Sequence, residues 1–158
     1  MVFKKIKFNR RTFIKRAIYA ALSIEVLYVF TRLLNKNNQS DKENGLYDAG
    51  NINFFENDKV YPFSKGHFYL SRFKDGGLLA ISTKCTHLGC TIQFNNNKDK
   101  FVCPCHASAF TKNGEVLSPP ATRALDIYPI TIIDNKVMVN TSKAIRRNKY
   151  DASQLTYV

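Results

Sequence analysis

Acidic residues are scarce in this sequence: 12 Asp and Glu stand against 24 Lys and Arg, a formal net charge of +12. Such an imbalance points to nucleic acid or an anionic membrane surface. Its distribution argues against a nucleic-acid-binding core. Residues 1–36 hold nine basic residues and one acid, net +8, and residues 143–158 hold four and one, net +3. The middle, 37–142, has eleven basic and ten acidic residues, net +1, so the domain between the two ends is nearly neutral. Cysteine is also sparse, and four in 158 residues exclude a disulfide-dense mini-protein. There is no internal repeat, and 44% hydrophobic with 23% charged residues excludes a disordered chain.

Residues 1–16 contain seven basic residues and no acid, and an apolar run of 18 residues follows over 17–34. As a helix that run would span about 27 Å, close to a hydrocarbon core. Glu25 sits in its middle and Arg32 near its end. A central acid costs about 2.5–3.5 kcal/mol on insertion scales, whereas an Arg near the end can snorkel to the interface. No small-x-small cleavage site follows. The reading is an uncleaved transmembrane anchor over 17–34, with a removed signal or an amphipathic helix lying on a soluble domain as alternatives. The upstream positive charge leaves the N-terminus in the cytoplasm and exports the rest, placing the head on the extracytoplasmic, periplasmic side of the cytoplasmic membrane. Asn9-Arg10-Arg11-Thr12-Phe13-Ile14-Lys15 resembles the twin-arginine export signal. That pathway moves folded proteins and suits a domain that receives a cofactor in the cytoplasm.

Residues 35–45 lack any apolar side chain and read as a flexible linker with an end-to-end distance of about 15–20 Å. The globular part is expected over 46–142, followed by a basic tail, 143–158, read as a solvated end or a contact with lipid or a partner. No stretch of 46–142 has a sustained helical period. Strands are expected at 67–73, 78–82, 91–94, 100–102, 115–117, 125–133 and 136–140, with turn signals at 74–77, 95–99 and 134–135. Pro129 marks an edge or a bend in the longest. The fold class is all-β, an antiparallel sandwich or barrel. Its core would draw on Phe68, Leu70, Leu79, Ile81, Ile92, Phe101, Val116, Ile127, Ile130, Ile132, Val137 and Val139.

The chemistry lies in two short clusters, Cys85-Thr86-His87-Leu88-Gly89-Cys90 and Cys103-Pro104-Cys105-His106-Ala107-Ser108. They hold all four Cys and two of the three His. Each follows an expected strand, so both should be loops at one end of the sheet. Cys85-x-His87 and Cys103-x-x-His106 offer two thiolates and two imidazoles. Such a set fits a tetrahedral zinc site or a two-iron cluster in which two His replace two Cys on one iron. The third histidine, His67, reads as structural.

The two motifs resemble those of the Rieske iron–sulfur proteins, close to the form found in quinol-oxidising cytochrome bc complexes. The likeness is strong over 85–90 and 103–108 and looser over about 60–140. It implies one [2Fe-2S] cluster on a β head with a two-loop cluster-binding subdomain. By that resemblance Cys85 and Cys103 bind one iron through sulfur, and His87 and His106 bind the other through nitrogen. Cys90 and Cys105 form a disulfide clamping the two loops, which needs an oxidising compartment. Ser118-Pro119-Pro120-Ala121 resembles the family's proline loop, with Pro119 and Pro120 covering the cluster from a third side; Leu88 and Gly89, between the ligands of the first motif, would also lie around the cluster. Ser108 would donate to a bridging sulfide. Two positions depart from the family: Ala107 stands where Gly is common, mildly strained if φ is positive there, and Phe110 stands where many quinol-oxidising members carry a Tyr that donates to a ligand sulfur.

The resemblance implies an electron-transfer subunit of a quinol:cytochrome c oxidoreductase complex, an enzyme component that is not catalytic alone. His106 would meet quinol and take a proton as the cluster takes an electron. The implied partners are cytochrome b, a c-type cytochrome, quinol, with menaquinol favoured by the Phe at 110, and membrane lipid. A small Rieske subunit of an exported molybdenum enzyme such as an arsenite oxidase is the alternative. A soluble Rieske ferredoxin fits poorly, because those generally lack the two disulfide Cys.

Overall fold

The computed structural model describes residues 9–35 and 45–157, the side chains of 32–35 excepted. Residues 1–8 of the expected basic segment, 1–16, and most of the linker, 36–44, lie outside the described residues. The chain divides into an N-terminal segment, 1–40, and a head, 41–158.

The N-terminal segment is one helix, α1 (Arg10–Asn35). Asn9 caps it: its side-chain oxygen accepts from Arg11 N at 3.2 Å and its carbonyl from Phe13 N at 3.0 Å. The twin arginines thus form the first helical turn. Neither Gly nor Pro interrupts the run. Ser23 and Thr31 turn their hydroxyls back onto the carbonyls of Ala20 and Tyr28. Among the described residues no helix is long and apolar enough to cross a membrane. Lys15, Arg16 and Glu25 interrupt the described stretch, and the end of the expected anchor, 32–34, lies outside the described side chains.

The head consists of three antiparallel sheets. The first orders β1 (Leu46–Asn51), β11 (Lys136–Asn140) and β10 (Ile130–Ile133). The second orders β2 (Lys59–Phe63), β3 (Phe68–Arg72), β4 (Leu78–Ser82) and β9 (Ile127–Tyr128). The third orders β5 (Gln93–Asn95), β6 (Lys100–Val102), β7 (Ala109–Thr111) and β8 (Val116–Ser118). Strand β4 is buried at every position, and its two faces serve two cores. Leu79 and Ile81 join Ile92, Phe101, Phe110 and Leu125, while Leu78 and Ala80 join Ile52, Phe55, Phe68, Val137 and Val139. Nine of the twelve expected core residues are buried; Val116, Ile130 and Ile132 are only partly so, at the margins of the same two clusters.

The single strand expected over 125–133 is two. Pro129 separates β9, paired with β4, from β10, paired with β11, so the proline is where the chain changes sheets. Strands β1, β2 and β7 lack the alternation that would announce them; β1 owes its place to pairing with β11, Leu46 opposite Asn140. The 134–135 turn takes left-handed backbone at both positions, φ 48° at Asp134 and 60° at Asn135, the geometry that matches strand twist.

Residues 143–157 are not a free tail. Ile145 pairs with Ile127, Thr156 pairs with Leu78, and Leu155 packs on the first core cluster. Arg147 is 6% exposed despite its charge. The expected boundary at 142 therefore cuts through a folded unit. Of the four basic side chains that mark it as solvated, Lys143, Arg146 and Lys149 are exposed, and Arg147 is not.

Candidate iron–sulfur centre

Three loops form the site. Residues 85–90 join β4 to β5, residues 103–108 join β6 to β7, and residues 119–126 join β8 to β9. The two cysteine loops share a backbone frame. Cys85 N donates to Cys90 O at 2.8 Å and Gly89 N to Cys85 O at 2.9 Å. Cys103 N donates to Ser108 O at 2.8 Å and Ala107 N to Cys103 O at 3.0 Å. The fifth residue of each is left-handed, φ 80° at Gly89 and 59° at Ala107. Ala107 therefore occupies the strained backbone that its departure from the family raised.

The structure joins Cys90 to Cys105 in a disulfide with the Cα atoms 6.5 Å apart, tying the loops together. Cys85 and Cys103 are free thiols, 3% and 2% exposed. The His87 and His106 rings lie with centroids 5.0 Å apart, nearly perpendicular. His87 is half-buried and His106 exposed, beside a Leu88 that is 69% exposed. Burial pushes the Cys85 thiol up, as does the neighbouring Cys103; hydrogen bonds from the His87 backbone N–H and the Ser108 hydroxyl pull it down. On balance the Cys85 thiol is held above the ordinary thiol range.

The third loop is fastened to both others. Ala121 N donates to the buried Ser108 Oγ at 3.0 Å, and Thr86 Oγ1 donates to Arg123 O at 2.8 Å. Pro119 and Pro120, joined by a cis bond, are exposed beside them. Phe110 is fully buried in the core cluster that includes Cys85 and Cys103. His67 lies apart, exposed in the turn before β3; its carbonyl accepts from Thr83 N and Oγ1. The tie between Thr86 and Arg123 carries no sequence signal, because it is a contact across 37 residues of chain; Ala121 is marked in the sequence only as the end of the proline loop, and its bond to Ser108, 13 residues away, is likewise a product of folding.

Two buried sulfurs and two adjacent imidazoles on loops clamped together form a donor set that a bis-Cys, bis-His two-iron cluster requires. A four-coordinate zinc would use the same four side chains. The two surface concavities found in the head, both lined by Asp99 and Lys112, include no residue of the three loops.

A family model described as Rieske [2Fe-2S] domain matches residues 48–129. The cytochrome b6-f complex iron-sulfur subunit of Chlorobaculum tepidum is 30% identical over 153 residues, covering 87% of this chain and 78% of that protein. The menaquinol:cytochrome c reductase iron-sulfur subunit of Geobacillus thermodenitrificans is 40% identical over 77 residues, covering 45% of this chain and 46% of that one. Among solved structures, naphthalene 1,2-dioxygenase with indole in its active site superposes with a TM-score of 0.51 at 20% identity. That match covers 61% of this chain and 26% of the dioxygenase, a likeness of fold alone.

Proposed function

This chain belongs to the Rieske [2Fe-2S] family, whose cofactor is one two-iron cluster, and on that premise we propose that it is the iron–sulfur subunit of a quinol-oxidising cytochrome bc-type complex. Cys85 and Cys103 hold one iron through sulfur, and His87 and His106 hold the other through nitrogen. When bound, the group supplies one-electron chemistry at roughly −150 to +300 mV, against about −400 mV for all-Cys plant-type ferredoxins. The protein residues do the rest. Ser108 and the His87 amide donate to sulfur and favour added negative charge. The exposed His106 presents its non-ligating nitrogen at the tip, where it takes the quinol proton as the electron moves. The exposed Leu88 offers apolar contact next to it, and the exposure of both side chains suits alternate docking on a quinol site and a c-type cytochrome.

The carrying observation is the convergence of two buried free thiols and two touching imidazoles on loops joined by the Cys90–Cys105 disulfide. That disulfide fits an oxidising, extracytoplasmic location. It agrees with export through Arg10 and Arg11 and with attachment to the membrane by α1, where Glu25 needs a partner from a neighbouring subunit. Electron paramagnetic resonance of the reduced protein should show the low-average-g rhombic spectrum of a bis-His cluster, with about two irons per chain. A colourless protein holding one zinc would overturn the ligand assignment. Copurification of a b-type haem protein from membranes supports the bc-type reading. The second reading is the small subunit of an exported molybdenum enzyme, which a copurifying molybdopterin protein would establish. Changing both arginines to Lys should stop export, and release of the wild-type chain by salt alone would show that α1 is not an anchor.

A further inference from the structure

The stretch 121–127 is held from two sides. Toward the cysteine loops it is fastened by Ala121 N to Ser108 Oγ and by Arg123 O to Thr86 Oγ1. On the other side it meets 143–157. Ala124 N donates to Asn148 O at 3.0 Å, and Ile127 and Ile145 exchange backbone bonds of 3.1 and 2.8 Å. Arg147 sits at the centre of this second contact. Its Nε donates to Leu125 O at 2.6 Å, its Nη2 to Asn113 O at 2.5 Å and its Nη1 to Gln154 Oε1 at 2.6 Å. A Cβ on Gly114, at φ +83°, would come within 2.5 Å of the guanidinium, so the β7–β8 turn is open where the cation enters.

Among the described residues no carboxylate hydrogen-bonds Arg147. Burial pushes its pKa down to about 10, with Asp126 and Glu115 opposing the fall, so it is charged at neutral pH. Taking a cation out of water is costly, and packing alone would be served by an apolar residue. A planar fork of donors does what an apolar residue cannot: it ties three distant segments, at 113, 125 and 154, into one geometry.

We infer that Arg147 is a positioning residue for the iron–sulfur centre: by locking the C-terminal segment onto Leu125, it holds Ala121 and Arg123 against the two cysteine loops and keeps the Ser108 hydroxyl in the orientation that its bond from Ala121 N sets. The Ala121 amide occupies one lone pair of Ser108 Oγ, which restricts the directions in which the hydroxyl can donate toward the centre. If the lock loosens, that hydroxyl rotates freely. A donor to the more negative, reduced state is lost, and the potential falls. The inference rests on the ligand assignment proposed above.

The test uses the full-length protein with its cluster, comparing wild type with Arg147→Met, Arg147→Lys and the milder Gln154→Ala. Amide hydrogen exchange at Ala121, midpoint potential and the reduced-state resonance spectrum are the readouts. Arg147→Met should speed Ala121 exchange at least tenfold and lower the potential in molecules that keep two irons. Arg147→Lys should recover part of both, and Gln154→Ala should move both the same way by less. If Arg147→Met does not accumulate, Gln154→Ala decides on the same readouts. A variant that melts earlier but keeps the wild-type potential and spectrum would make Arg147 a mere strut and overturn the inference alone. A wild-type chain without the two-iron spectrum would overturn the ligand assignment first, and this inference with it.

Discussion

Residues 85–90 and 103–108 repeat the same pair of backbone hydrogen bonds, from the first amide to the last carbonyl and from the fifth amide to the first carbonyl. Both open on a buried free cysteine, and both turn through a left-handed fifth residue. They differ in what the frame carries. The first places its histidine third and its disulfide cysteine last; the second places the disulfide cysteine third, the histidine fourth and a buried serine last. One backbone solution therefore serves twice, while the side-chain order makes the loops complementary: each contributes one thiol, one imidazole and one half of the clamp. The second loop alone also reaches the third loop through its terminal residue, Ser108.

The equivalence of the two opening cysteines is the most drastic point to break. Cys85→Ser and Cys103→Ser should each reduce iron from about two per chain to almost none, measured by metal analysis and loss of the resonance signal. Retention of the cluster in either would show that the loops do not share the ligand load equally.

The clamp comes next. The disulfide closes a separation of 15 residues, for which chain entropy gives about 3 kcal/mol. Cys90→Ser should cost about that much in denaturant unfolding, and reducing agent should lower wild type to the same level without affecting the variant. If reduction leaves the wild-type midpoint unchanged, the loops are held without the bond.

Smaller effects separate the two loop ends. Ser108→Ala removes a donor that the first loop has no equivalent of. A net hydrogen bond of about 0.5–1.5 kcal/mol corresponds to roughly 20–65 mV for one electron, so voltammetry should show a fall of about that size. Phe110→Tyr should raise the potential by a similar amount if the hydroxyl reaches a ligand sulfur. An unchanged or lower value would mean that residue 110 does not face the cluster, and would remove the argument for menaquinol as the donor.

The smallest effect is a reciprocal one at the fifth positions. A Cβ on Gly89 would meet nothing within 4 Å, so Gly89→Ala isolates backbone strain and should cost about 1 kcal/mol. Ala107→Gly should return a comparable amount, less the gain in unfolded-state entropy. Thermal melts of the two variants and their double mutant measure both signs; the same sign in both would show that the loops are not equivalent in backbone strain.

Much of the site was legible because ligand chemistry is written in residue type at short spacing. Cys85, His87, Cys103 and His106 could be singled out as donors without any knowledge of the fold, and the Lys74-Asp75-Gly76-Gly77 turn signal between β3 and β4 announced a hairpin in the sheet that carries them. Turn residues such as Asp134 and Asn135 likewise encode their own geometry locally. Phe110 illustrates the limit: it was singled out as a departure in the second loop, but its complete burial beside both free cysteines is a packing result.

What the sequence determined by itself was therefore the local chemistry: the two donor motifs, the hairpin turns, the export-like N-terminus and the concentration of positive charge at the two ends. Only the tertiary structure decided that Pro129 divides one run between two sheets, that β1 exists by pairing Leu46 with Asn140, and that Ala121 caps Ser108. It also turned the C-terminal residues from an apparent tail into a strap. A run of Lys and Arg reads as solvated because burying a cation is costly. Three acceptors brought together from positions 113, 125 and 154 offset that cost for Arg147, and no local pattern can announce partners that meet only when the chain has folded.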